Sequence, residues 1–90
     1  MNKSELIDKV ASDLGETKAK AKKAVESVFK NISDSLSHGN PVRLVGFGTF
    51  GTRKREARVA RNPRTGQKIS IKARKVPFFK AGKELKEKVK

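Results

Sequence analysis

The sequence contains no cysteine, so disulfides and thiolate metal sites are excluded. It has no apolar run approaching the ~18 residues that a membrane span needs. The opening Met1-Asn2-Lys3-Ser4-Glu5 lacks the apolar stretch of a secretory signal, so an intracellular protein is expected. Apolar residues are scarce as well, at 34% with alanine included. Ninety residues make one domain, and a chain this short buries only about 60–70% of its unfolded surface. A core shared between two copies would relieve that shortage, which points to a homodimer.

Carboxylates are the most unevenly missing groups. The net charge is +14, from 23 basic and 9 acidic residues. Residues 1–40 are nearly balanced, with 7 basic and 6 acidic residues. Residues 41–76 hold 11 basic residues against Glu56 alone, and residues 77–90 hold 5 against 2. A solvated surface mixes its signs; positive charge concentrated in one segment suits a polyanion.

Hydrophobic periodicity divides the chain. Asn2 with Glu5 has capping-box-like spacing. Leu6, Ile7, Val10, Ala11 and Leu14 follow at helical intervals, up to Gly15. Thr17 is placed to cap a second helix with an apolar stripe of Ala21, Val25, Val28, Phe29, Ile32 and Leu36. Gly39, Asn40 and Pro41 stop it. The period then changes: Val42 and Leu44 alternate with Arg43, and Gly46-Phe47-Gly48-Thr49-Phe50-Gly51 marks a turn or close strand approach. Asn62-Pro63-Arg64-Thr65-Gly66 is a cluster of turn formers. After it Lys68, Ser70, Lys72 and Arg74 alternate with Ile69, Ile71 and Ala73, a strand with one basic and one apolar face.

Two strands around that turn read as a β-hairpin arm projecting roughly 25 Å, at ~3.3 Å per residue. Arg53 and Arg55 share one face of a regular strand and Arg58 the other, so either the basic side chains serve both faces or the strand is distorted near Glu56-Ala57; a bulge or strong twist there is the expectation. Pro77-Phe78-Phe79 and then Ala81 to Val89 read as a short basic helix. The expected organisation is a helical dimerisation region over 1–40 and a sheet body over 41–52. A β-hairpin arm over 53–76 and a C-terminal helix over 77–90 complete it. The fold class is α+β: a helix-turn-helix pair, a three-stranded antiparallel sheet with a long protruding hairpin, and a short C-terminal helix.

The run Gly46-Phe47-Gly48-Thr49-Phe50, followed by Arg53, Arg55, Arg58, Arg61, Asn62-Pro63 and Thr65-Gly66, resembles the signature of bacterial HU proteins. That family also includes integration host factor. The likeness extends to Met1-Asn2-Lys3-Ser4-Glu5-Leu6-Ile7, to Lys18-Ala19-Lys20-Ala21 and to Val76-Pro77-Phe78-Phe79-Lys80. It implies an intertwined dimer whose two arms reach around the minor groove of double-stranded DNA. The mechanism is the family's own: the proline at the arm tip wedges between base pairs, which maps onto Pro63. The arm contacts map onto Arg53, Arg55, Arg58, Arg61, Asn62, Arg64, Lys68, Lys72, Arg74 and Lys75. The flank of the body matches Lys3, Lys80, Lys83 and Lys86. The implied dimer core is Val28, Phe29, Ile32, Leu36, Leu44, Phe47, Phe50 and Phe79. The chain departs from the family pattern at Glu16, Thr52 and Ala60, none of them in the proline or arginine set.

The residue types suit that work. Arginine presents a planar, weakly hydrated guanidinium that enters a narrow groove and forks onto phosphate. Neutralising phosphates releases counterions. A proline ring is rigid and has no N–H to desolvate. DNA already nicked, gapped or bent avoids part of the unstacking and bending cost, so it is expected to bind more tightly than intact duplex. Gln67 and Asn62 are the only side-chain amides of the arm, and the minor groove barely separates A·T from T·A, so little sequence choice is expected. Packaging and bending in the nucleoid is the resulting reading, with an integration-host-factor-like sequence preference as the alternative.

Other readings fare less well. Phe47, Phe50 and Phe79 could stack on single-stranded bases, but aromatics among glycines and apolar neighbours are more often core. RNA binding shares the same composition. An enzyme would need a nucleophile–base pair or clustered carboxylates near the arm, and only Glu56 lies there. No cofactor, metal, membrane or small-molecule substrate is expected.

Overall fold

The Asn2 side-chain oxygen accepts a hydrogen bond from the Glu5 N–H at 2.9 Å. This satisfies one of the orphan donors of helix α1, Lys3–Leu14. Gly15 ends the helix in the left-handed conformation, φ 64°. Thr17 Oγ1 then accepts from the Lys20 N–H at 3.2 Å and opens α2, Lys18–Ser37. Both caps fall where the sequence places them. The computed structural model describes residues 1–90, which form two compact units, Met1–Ser35 and Leu36–Lys90. No helix is long and apolar enough to cross a membrane.

In the first unit Ile7, Ala11, Ala21 and Val25 are buried, with Leu6 and Val10 packed against them. These four are all the buried apolar side chains of the chain. Further along the α2 stripe Val28 is 55% and Phe29 45% exposed, while Ile32 and Leu36 are half-buried. Three ion pairs lie on the surface here: Lys3–Glu26 at 3.3 Å, Lys18–Asp8 at 3.5 Å and Lys20–Glu16 at 3.6 Å. All their side chains are well solvated, so each adds little stability.

The second unit is built on strands β1 (Val42–Leu44), β2 (Gly48–Arg55), β3 (Arg58–Arg61), β4 (Lys68–Ile71) and β5 (Arg74–Ala81), followed by helix α3 (Lys83–Val89). An antiparallel sheet runs in the order β1-β2-β5, and β3 pairs with β4 in a separate two-stranded sheet. Strand alternation gives the larger sheet two unlike faces. One carries Val42, Leu44, Phe50 and Phe79, with the Phe50 and Phe79 rings 4.7 Å apart. The other carries Arg43, Arg53, Arg55, Arg74 and Lys80, together with Gly51 and Phe78.

Two glycines make the ring positions possible. A Cβ at Gly48 would lie 2.5 Å from Phe79 Cζ, and one at Gly51 would lie 2.8 Å from Phe78 Cζ. The apolar face stays half open: Leu44 is 37%, Phe47 47% and Phe79 41% exposed.

The structure corrects two expectations. Pro77-Phe78-Phe79 belong to β5, not to the C-terminal helix, which starts at Lys83. Phe78 and Phe79 favour a pleated surface, and β2 offers a full-length partner. Pro77 is tolerated because β5 is an edge strand. The second correction concerns the arm. Arg55 pairs with Arg74 and Arg58 with Ile71, so two residues on each strand are skipped and the register is unchanged. A one-sided bulge would have shifted it. The arm is instead interrupted symmetrically, at Glu56-Ala57 and Lys72-Ala73.

Candidate nucleic-acid interface

Antiparallel pairing sets like charges directly opposite one another along the arm. Lys54 faces Lys75, Arg55 faces Arg74 and Arg61 faces Lys68. Opposed like charges destabilise a ladder. None of the chain's three ion pairs involves these residues.

The interruption of the arm gathers more of them. Arg55, Arg58 and Arg74 line one hollow with Glu56, Ile71, Val76 and Pro77. Beyond it β3 and β4 form four pairs, from Arg58↔Ile71 to Arg61↔Lys68. One face of this short ladder carries Val59, Arg61, Lys68 and Ser70, and the other Arg58, Ala60, Ile69 and Ile71.

At the tip, backbone bonds close the turn: the Asn62 N–H donates to the Gln67 carbonyl at 2.8 Å and the Gly66 N–H to the Asn62 carbonyl at 2.7 Å. Asn62 Oδ1 accepts from the Arg64 N–H at 2.8 Å, and Thr65 Oγ1 from the Gln67 N–H at 3.3 Å. Gly66 supplies the positive φ, 75°, that the turn needs. Pro63 and Arg64 are thereby presented to solvent on a hydrogen-bonded turn. Asn62 serves the turn with its side-chain oxygen, as its place among the turn formers predicts.

On the body, Lys80, Lys83 and Lys86 line a groove with Gly48, Thr49 and Glu87. Lys72 lies in the interruption, exposed, and Lys75 is exposed on β5. Lys3 belongs to α1 in the helical unit, with its Nζ 3.3 Å from Glu26 Oε1. Two cations escaped the sequence reading. Lys54 lies between Arg53 and Arg55 but on the opposite strand face. Arg43 pairs with Thr49, which pairs with Lys80, so one row crosses all three strands. The alternation of Val42, Arg43 and Leu44 carried that signal.

The family described as bacterial DNA-binding protein matches residues 1–90, the full length of the chain. The chain belongs to the bacterial HU family. It is 54% identical over 89 residues to the DNA-binding protein HU-beta of Serratia marcescens, covering 99% of each sequence. It is 53% identical to the DNA-binding protein HU of Staphylococcus aureus (strain COL) over 90 residues, covering 100% of both. Among solved structures it is similar to the HU of an Anabaena HU–DNA cocrystal, with a TM-score of 0.92 and 46% identity over 99% of this chain and 97% of that one. Thermotoga maritima HU matches with a TM-score of 0.72 and 37% identity over the full length of both chains. The exposed proline tip and the opposed cations lie along the same interrupted hairpin.

Proposed function

We propose that this HU family member binds double-stranded DNA through the minor groove and bends it, acting in the nucleoid with little sequence choice. The cation pairs set opposite one another along the arm carry this reading, because a polyanion relieves their repulsion and releases its own counterions on binding. Arg53, Arg55, Arg58, Arg61, Arg64, Lys68, Lys72, Arg74 and Lys75 neutralise phosphates or line the groove wall, and Pro63 enters a base step. Unstacking costs a few kcal/mol and smooth bending of a short site ~1–6 kcal/mol. Extra phosphate contacts along the bent flank, to Lys80, Lys83, Lys86 and Lys3, offset those costs. Asn62 has its acceptor engaged in the turn, which leaves few groups to read base edges.

Two copies share the apolar surface that one chain leaves open. Val28, Phe29, Leu44, Phe47 and Phe79 are exposed in the single chain, and Ile32, Leu36 and Phe50 only partly covered. A homodimer core of these residues gives each DNA site two arms.

The test measures affinity and bend angle on intact, nicked and gapped duplexes across a salt series. Nicked and gapped DNA should bind more tightly than intact duplex. Pro63→Ala should reduce bending and leave most of the salt slope. Equal affinities for matched substrates, or an unchanged bend in Pro63→Ala, would remove the wedge. Preference for structured RNA over duplex would displace the reading altogether.

A further inference from the structure

On the basic face of the larger sheet one aromatic ring sits among the cations. Phe78 pairs with Gly51, and its ring occupies the space that a Cβ at Gly51 would need. Two positions along β2, on the same face, the Arg53 guanidinium lies over this ring, 4.6 Å from its centroid. Lys80, two positions along β5, lies on that face beyond the ring. The ring thus separates the arm's first arginine from the lysine that begins the groove of Lys80, Lys83 and Lys86.

We propose that Phe78 is a positioning residue for DNA: stacked against Gly51, it holds the Arg53 guanidinium on the basic face, so that arm and body present one uninterrupted track to the phosphates. A free arginine side chain loses substantial rotamer entropy when it is immobilised by a phosphate. Stacking on Phe78 settles part of that loss before DNA arrives. The ring's negative face attracts the cation and leaves the N–H groups at the guanidinium edge free to donate. Glycine at 51 is required because any side chain there would lift the ring off the sheet, and Arg53 with it. The inference rests on the DNA-binding reading and adds to it a residue that carries no charge.

The experiment is a double-mutant cycle on the full chain, reading affinity for one gapped duplex at fixed salt together with thermal melting. Phe78→Leu, which still covers Gly51, should weaken binding about two- to five-fold, the worth of an exposed cation–π contact. In an Arg53→Ala background the same substitution should change affinity by less than the error of the measurement. Phe78→Tyr keeps the ring and should bind like the parent. A role confined to folding would lower the melting temperature and weaken binding equally in both backgrounds, and that outcome overturns the inference. So does an unchanged affinity in Phe78→Leu, or a loss in Phe78→Tyr as large as that in Phe78→Leu. A parent chain that binds no duplex DNA would instead overturn the functional reading beneath it.

Discussion

A methyl group built at Gly48 would meet the Phe79 ring at 2.5 Å and the Lys80 carbonyl oxygen at 2.6 Å, whereas one at Gly66 would meet nothing within 4 Å. The two glycines therefore answer to different constraints, packing at the first and backbone conformation at the second, where φ is 75°. Gly48→Ala should destabilise by about 1–3 kcal/mol through overpacking. For a domain of this size each kcal/mol lowers Tm by roughly 4–8 °C, so a thermal melt suffices to see it. Gly66→Ala costs about 1–2 kcal/mol of left-handed strain, confined to the arm tip. It should leave the melt nearly unchanged and weaken DNA binding. A large drop in Tm for Gly66→Ala would show that the tip is part of the cooperative core.

The arm is an element in two parts. Up to Arg55 and Arg74 its strands belong to the three-stranded sheet, and beyond Glu56-Ala57 and Lys72-Ala73 only four pairs hold them together. A lone two-stranded ribbon is marginal in water. Backbone amides at residues 56, 57, 72 and 73 should thus exchange with solvent more than about tenfold faster than those of Gly48–Arg55, by hydrogen-exchange NMR. Uniform protection along the hairpin would count against an articulated arm. Charge at this point is testable separately. Arg58→Ala should lower the slope of log affinity against log salt by about one, the signature of one lost phosphate contact. An unchanged slope would place Arg58 away from the backbone of the DNA.

At the scale of the molecule, four small or medium apolar side chains are buried while eight large ones from Val28 to Phe79 stay more than a third exposed. A single copy is poorly provisioned for its length. Folding coupled to association makes stability depend on concentration. Tm should fall on serial dilution, and the mass in solution should be that of two chains. A Tm constant over a hundredfold dilution would mean that one chain folds unaided and that the open apolar faces have another use.

Local chemistry made much of this protein legible from its residues. Asn2, Gly15, Thr17 and Gly39 bound the helices through caps that involve neighbours a few positions away, and Asn62 to Gly66 close a turn on themselves. The charge imbalance of residues 41–76 needs no fold to be seen. What tertiary structure decided were pairings across long sequence separations. In Pro77-Phe78-Phe79 the strand preference of the two phenylalanines competes with a proline that suits a helix start; β2 settled it by offering hydrogen-bond partners to β5. The unbroken register across the arm, which replaced a bulge with a symmetric gap, is visible only when both strands are aligned. The same holds for the ring of Phe78 over Gly51, beneath the guanidinium of Arg53. Residues 27 positions apart meet there because sheet geometry places them opposite one another, and no periodicity within either strand encodes that contact.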